Sequence, residues 1–134
     1  MSLRIVRAES EASSSGPAEY FTGSVRITPL VKGDDPSHLS AASVAFECCA
    51  RSAWHSHPAG QLLVVSEGEG RIQQWGEPVR VIRAGDVIWT PPGVKHWHGA
   101  SPHSAITHLA IQEAVDGKVV EWMDKVTDEE YNKE

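Results

Sequence analysis

The segment WHSHPAGQLLVVSEG, residues 54–68, places two histidines, a short turn and an apolar run in direct succession. His55 and His57 are two residues apart, so on a β-strand their imidazoles point to the same face. The Pro-Ala-Gly turn ends this strand, and Gln61 opens the next one with its amide oxygen able to turn back toward the pair. Imidazole is the commonest metal ligand among protein side chains. The segment therefore predicts part of a metal site.

The chain around this segment consists of short apolar stretches separated by turn residues. Several stretches alternate with the two-residue period of a half-buried strand, as Val25 with Ile27 and Val87 with Trp89 do. The expected strands are SVRITPLV, ASVAFECC, QLLVVSEG, GRIQQW, VRVIRAG, DVIWTPP and SAITHLAIQ, with turns between them at positions such as KGDDPS, EGEG and ASPHS. Many strands without a helical stretch between them predict an all-β fold, an antiparallel sandwich or barrel.

The length of 134 residues suits one domain with a single hydrophobic core. LRIVR, residues 3–7, predicts a short first strand, and a polar Gly/Pro/Ser-rich loop follows it. Near the other end, Thr127 precedes Glu130 by three residues, a capping-box pattern that predicts a short surface helix. We expect a single domain over residues 1–134, with a barrel core at about 20–122, an N-terminal strand and loop at 1–19 and a C-terminal tail at 123–134.

Charge and composition argue against several classes of partner. Twelve Lys and Arg against eighteen Asp and Glu give a net charge of −6 without a basic cluster, so we expect no nucleic-acid partner. No apolar run approaches the roughly 18 residues of a membrane span, and MSLRIVRAES lacks a signal-peptide pattern, so we expect no membrane association and a cytoplasmic location. Cys48 and Cys49 are adjacent, where a bridge would be strained, and we expect both to be reduced and packed.

A complete metal site needs further ligands from outside the opening segment. The candidates are His96 and His98 in PPGVKHWHGA and His108 in THLAIQ. His38 and His103 lie in polar, turn-like contexts and are expected to be exposed loop residues. A second His-x-His pair beside the first strengthens the prediction of a metal site.

At these positions the sequence resembles the cupin family. The first cupin motif is Gly, five residues, His-x-His, three or four residues, Glu, six residues, Gly; the second contains Gly, five residues, Pro-x-Gly, two residues, His. The matching residues are His55, His57, Gln61 and Gly68 for the first motif and Gly85, Pro91, Gly93 and His96 for the second. The resemblance implies a single-domain antiparallel jelly-roll β-barrel in which a divalent metal is held by His55, His57, Gln61 and His96.

Three positions depart from the cupin pattern. Cys49 replaces the leading Gly, so a residue that disfavours positive φ must make that turn. Ala100 replaces the closing Asn, and Gln61 replaces the usual Glu. Four neutral ligands leave a dication its full charge, which favours Lewis acidity and argues against trivalent iron and oxygen chemistry. The resemblance favours Mn²⁺, with Fe²⁺, Ni²⁺, Zn²⁺ and Co²⁺ as alternatives.

Nearly the whole chain is similar to one group of cupins, the bacterial (R)-selective hydroxynitrile lyases. The similar segments are GPAEYFTGSVRI, ASVAFECCARSAWHSHPAGQ, PPGVKHWHGA and THLAIQEAVDGKVVEWMDKVTDEEY. The resemblance implies cleavage of cyanohydrins such as (R)-mandelonitrile to an aldehyde and hydrogen cyanide. It also implies the ligand set His, His, Gln, His, with which Gln61 agrees.

The two-residue period selects further residues for the predicted site. In SAITHLAIQ it places His108 and Gln112 on one face, toward the metal if that face is interior. His108, with an ordinary pKa near 6.5, is the predicted general base. His98 shares the parity of His96 and is a candidate neighbour of the cavity. An apolar wall that could accept an aromatic ring is predicted from Ala42, Val44 and Phe46.

Other functions remain open at this point, because one cupin barrel can support many activities. The first alternative is another metal-dependent cupin enzyme, a dioxygenase, decarboxylase or isomerase acting on a small organic acid or sugar acid. The second is a non-catalytic cupin that binds a small ligand. The expected partners are a small-molecule substrate and a second copy of the chain, in a homodimer or homotetramer formed by sheet packing or by exchange of the LRIVR strand.

Overall fold

The computed structural model describes residues 2–7 and 12–133, and its regular secondary structure is almost entirely antiparallel β-strand. In chain order the strands are β1 (Ser14–Ser15), β2 (Phe21–Thr22), β3 (Val25–Lys32), β4 (Leu39–Phe46), β5 (Arg51–Ser52), β6 (His55–Ser56), β7 (Gln61–Gln74), β8 (Arg80–Arg83), β9 (Val87–Thr90), β10 (His96–Ala100), β11 (Ile106–Glu113) and β12 (Glu121–Trp122), followed by helix α1 (Asp128–Tyr131). The expected all-β class is confirmed.

The strands form two layers that share β7, and the layers close into a jelly-roll barrel. One layer has the order β1-β3-β4-β11-β7, with β9 also on β7. In the other, β10 lies between β7 and the pair β5 and β6, and β12 adds to β6. Apolar side chains from both layers fill one part of the interior: Phe21, Val25, Val44, Phe46, Leu63, Val65, Ile82, Ile106 and Ala110 are among them.

The long strand β7 corrects one prediction from the sequence. QLLVVSEG and GRIQQW, expected as two strands with a turn at EGEG, are one strand. Gly68 has a φ of 80° within it, and a Cβ there would clash with the carbonyl oxygen of Ala105. The pairing with β11 also shifts register between Thr107 and His108. Glycine therefore permits a bend that carries the strand from one layer to the other instead of ending it.

The two ends of the chain differ in how well the sequence predicted them. Thr127 caps α1 in the expected capping box with Glu130. The expected strand at residues 3–7 is not formed: residues 2–7 are exposed, with Leu3 at 93%, because this segment pairs with no other described strand. Among the described residues, no helix is long and apolar enough to cross a membrane.

The two cysteines form no disulfide, but both thiols are exposed, so the expectation that they pack is wrong. They lie in the turn after β4, where Cys49 has a φ of 72°. A non-glycine residue thus makes the turn that the cupin motif assigns to glycine.

Candidate metal centre and cavity

Five of the seven histidines lie buried together in the barrel, each at most 5% exposed: His55, His57, His96, His98 and His108. His38 and His103 are exposed, as expected. The pairing of β6 with β10 places His55 opposite His96, with ring centroids 4.3 Å apart. This single pairing brings the two histidine motifs to one place, although they are about forty residues apart in sequence.

The remaining predicted ligands lie beside this pair. The His57 ring is 5.0 Å from that of His55 and 5.6 Å from that of His96, centroid to centroid. Gln61 is the first residue of β7 and is 4% exposed, after a turn in which Gly60 has a φ of 80°. The turn expected after His57 is therefore present, and it returns the chain so that Gln61 lies near the histidines.

Three of the five imidazoles are held by backbone carbonyls through Nδ1. A carbonyl can only accept, so each Nδ1 carries the proton and each Nε2 keeps its lone pair. Metal-binding histidines usually have such an outer partner, which fixes the tautomer and the ring orientation. The hydrogen bonds are from His55 to Ala53 at 2.8 Å, from His57 to Val119 at 2.7 Å and from His96 to Val94 at 3.0 Å.

Three acceptor atoms in this group are buried without a hydrogen-bond partner among the described residues: Nε2 of His57, Nε2 of His96 and Oε1 of Gln61. Unpaired buried acceptors are costly, and neutral imidazole nitrogens and amide oxygens are suitable ligands for divalent cations. Burial also lowers the pKa of His57, and that of His96 to about 4, so the rings stay neutral at pH 7. The donor set therefore fits a divalent metal ion.

His98 has a different partner from these three histidines. Its Nδ1 lies 3.1 Å from Nε2 of His108, so one imidazole donates to another. His98 is also close to the predicted ligands: His55, His96 and His98 each offer a nitrogen within 4.8 Å of the other two and could hold a metal ion. By distance the trio includes His98 in place of His57. His57 and His98 each have Nδ1 engaged and Nε2 unpaired, so either ring could complete a ligand set with His55 and His96.

His108 lies deeper than the sequence suggested. It is fully buried beside Phe46, with ring centroids 5.4 Å apart, and it is not among the residues that line the cavity at the histidines. Burial lowers the pKa of His108 to about 4, so the expectation of an ordinary value near 6.5 is wrong. Strand parity correctly placed both His98 and His108 inward, but it carried no information on which ring lies in front of the other.

A cavity of about 180 Å³ opens at the histidine group. Its polar lining residues include His55, His57, Gln61, His98 and Gln112. Of the predicted apolar wall, Ala42 and Val44 line the cavity, whereas Phe46 lies behind the histidines, 5.8 Å from His98 between ring centroids. Ala110, on the same strand face as Gln112, also lines the cavity, and the apolar lining residues that were not predicted from the sequence are Phe21, Ile27, Val119, Val120 and Trp122.

The C-terminal segment supplies part of this wall. Trp122 pairs with His55 in the β12–β6 ladder, and its ring lies 4.9 Å from the His55 ring. It also stacks on Tyr20 with centroids 4.6 Å apart. The same segment provides the Val119 carbonyl that holds His57. The position of this segment across the barrel was not predicted from the sequence.

Comparison with known proteins identifies a family and a similar enzyme. A family model described as a cupin domain matches residues 44–109. An (R)-mandelonitrile lyase from Granulicella tundricola is 55% identical over 131 residues, which cover 98% of this chain and 100% of that protein. This agrees with the resemblance noted in the sequence.

Solved structures agree on the fold. A cupin-like protein from Thermotoga maritima is 42% identical, with a TM-score of 0.85 over 90% of this chain and 92% of that one. A polyketide cyclase from Streptomyces resistomycificus has a TM-score of 0.75 over 98% of this chain and 91% of its own, at 14% identity. At 14% identity, the likeness to the polyketide cyclase concerns the fold alone.

Proposed function

We propose, since the chain belongs to the cupin family, that it is a metal-dependent lyase that cleaves cyanohydrins of the mandelonitrile class to an aldehyde and hydrogen cyanide. The observation that carries the proposal is the cavity itself, whose lining joins residues with unpaired acceptor atoms, His57, Gln61 and His98, to an apolar wall. The mandelonitrile lyase that is 55% identical over nearly the whole chain supports the choice of substrate class.

The proposed metal ligands are His55, His57, Gln61 and His96, and Mn²⁺ is the proposed ion, with Fe²⁺, Ni²⁺, Zn²⁺ and Co²⁺ as alternatives. When bound, the dication would supply Lewis acidity to the hydroxyl oxygen of the substrate. The four ligands carry no charge, so the positive charge would remain available to a departing cyanide.

The proposed proton acceptor is the His98–His108 pair. His98 lines the cavity, and its Nε2 has no hydrogen-bond partner within the described part of the chain. Burial is the main cause, and the neighbouring His108 the second, of a pKa of His98 well below its ordinary value. The ring is therefore neutral and able to accept a proton. His98 takes the hydroxyl proton, the carbon–carbon bond breaks as the carbonyl forms, and cyanide leaves with the bonding electrons. The proton then returns to give hydrogen cyanide.

His108 acts through His98 in this scheme and does not contact the substrate. Its Nε2 can donate to His98 Nδ1 or accept from it, so the pair can change the direction of its hydrogen bond as His98 gains and loses a proton. The role proposed for His108 therefore changes from the general base itself to the partner of that base.

The apolar part of the cavity is suited to the ring of an aromatic substrate. Ala42 contributes only a methyl group, while Phe21 and Trp122 present aromatic surface to the same space. A phenyl group lying there would leave the hydroxyl and nitrile groups of mandelonitrile at the histidine end. Binding would then use apolar burial for the ring and polar contacts for the reacting groups.

The test is cyanide release from racemic mandelonitrile by purified, metal-loaded protein, with dissolved oxygen recorded throughout. We expect release without oxygen consumption, and loss of release after treatment with a chelator. Metal-loaded protein that releases no cyanide above the uncatalysed rate would contradict the proposal. Oxygen consumption with a small organic acid would instead support a dioxygenase.

A further inference from the structure

We propose that Gln112 is a positioning residue for the metal: through the hydrogen-bonded chain Ser40–Gln112–Gln61, it holds the Gln61 amide so that its oxygen faces the ion. The inference rests on the metal site of the proposed function and adds a residue that determines how strongly the ion is bound.

The chain of hydrogen bonds crosses three neighbouring strands at one level. Gln112 on β11 is directly opposite Gln61 on β7 and Ser40 on β4. Gln61 donates from Nε2 to Gln112 Oε1 at 3.2 Å, and Gln112 donates from Nε2 to Ser40 Oγ at 2.9 Å. The register of the sheet thus lines up two amides and one hydroxyl, ending at the metal centre.

The orientation of the Gln61 amide decides whether this residue can be a ligand. An amide can present either its oxygen, which binds a cation, or its NH₂ group, which cannot. With Nε2 occupied by Gln112, the Oε1 atom is the one left buried and unpaired in the described structure. Gln112 therefore selects the end of Gln61 that a cation needs.

The two hydrogen bonds that link Ser40, Gln112 and Gln61 can be reversed together, because the Ser40 hydroxyl can donate as well as accept. In the reversed direction Gln112 would donate to Gln61, and the Gln61 NH₂ group would face the imidazole nitrogens. A bound dication favours the direction in which Gln61 donates to Gln112, and that direction in turn favours binding of the dication. Metal affinity therefore depends on Gln112, although Gln112 does not contact the ion in this scheme.

Two substitutions at Gln112 separate this role from simple packing. Gln112→Met keeps the length of the side chain but offers no strong acceptor, and we expect it to weaken Mn²⁺ binding by about 10- to 100-fold. Gln112→Glu can only accept when ionised, so it must receive the Gln61 N–H and hold the Gln61 oxygen toward the ion. We expect this variant to bind Mn²⁺ at least as tightly as the wild type.

Substitutions at Ser40 test the far end of the chain, outside the residues that line the histidine cavity. Ser40→Ala removes the acceptor for Gln112, and we expect about 2- to 10-fold weaker Mn²⁺ binding. Ser40→Thr keeps the hydroxyl and should restore wild-type binding. Ser43→Ala is the matched control, because Ser43 lies on the same strand at a position of opposite parity. It should leave Mn²⁺ affinity unchanged.

The measurement is the dissociation constant for Mn²⁺ by calorimetry on chelator-treated full-length protein, without substrate. Wild-type affinity in both Gln112→Met and Ser40→Ala would overturn the inference, as would weakened binding in Gln112→Glu equal to that in Gln112→Met. If Gln112→Met does not fold, as judged by circular dichroism, the Mn²⁺ affinities of Ser40→Ala, Ser40→Thr and Gln112→Glu test the inference. If the Mn²⁺ affinities of the variants are as predicted but the wild type has no lyase activity, the inference is supported and the proposed function is contradicted. If the wild type binds no divalent ion, both are overturned.

Discussion

The pairs His55-x-His57 and His96-x-His98 have the same spacing and lie in the same barrel, yet their members have different partners. Nδ1 of His55, His57 and His96 donates to a backbone carbonyl, whereas Nδ1 of His98 contacts a second imidazole, His108. A carbonyl fixes one tautomer, and an imidazole permits either. The difference indicates that three of the four rings are suited to holding an ion and the fourth to moving a proton.

The largest expected effect concerns the rings held by carbonyls. His96→Ala removes a neutral nitrogen donor opposite His55, so we expect loss of bound metal together with loss of cyanide release. Elemental analysis and the cyanide assay on the same preparation measure both. His103→Ala is the matched control, since His103 is exposed and should leave both quantities unchanged. Normal metal content in the His96 variant would contradict the assignment of the carbonyl-held rings as metal ligands.

The next effect concerns the ring held by an imidazole. His98→Gln removes the proposed proton acceptor but leaves the three carbonyl-held rings in place, so kcat should fall by about 100- to 10,000-fold. Metal content should remain that of the wild type. Loss of metal in this variant would make His98 a ligand, as the distances among His55, His96 and His98 also permit.

A smaller effect is expected for the buried partner of that ring. His108→Gln can still form a hydrogen bond to His98. It has no second ring nitrogen through which the direction of that hydrogen bond could reverse. We expect kcat to fall by about 10- to 100-fold, with an altered pH profile, unchanged KM and unchanged metal content. A wild-type kcat and pH profile would show that His98 works alone.

The last effect concerns the stability of the metal-free protein and not its catalysis. Burial lowers the pKa of all five buried histidines, to about 4 for His96 and His108, from 6.5 in the unfolded chain. The unfolded state then binds more protons between these pH values. Stability should be full above about pH 6.5 and fall toward pH 4, by about 1.4 kcal/mol per pH unit for each of His96 and His108, and the other three histidines act in the same direction. Urea denaturation at pH 7 and pH 5 measures this; equal stabilities would contradict it.

The sequence predicted the features that depend on local spacing. The His-x-His pairs, the turn before Gln61 and the capping box at Thr127 follow from two- and three-residue periods and from turn chemistry. The bend at Gly68 was read as a turn because glycine alone does not distinguish a bend from a strand end. The strand expected at residues 3–7 has a strand pattern but no described partner strand.

Features that depend on distant parts of the chain could not be predicted in this way. The contact between His98 and His108 joins strands that are not neighbours in the sheet, so neither spacing nor parity specifies it. Trp122 reaches the cavity through a two-residue pairing near the end of the chain. The Gln61–Gln112 bond depends on the register of β7 with β11, which is set by the bulge between them.

The most direct test of the account is a titration of chelator-treated wild-type protein with Mn²⁺, in which bound metal and cyanide release from mandelonitrile are measured at each point. The account predicts that cyanide release rises in proportion to bound metal and levels off at one ion per chain. Cyanide release that is independent of bound metal, or a protein that binds no ion at all, would contradict it.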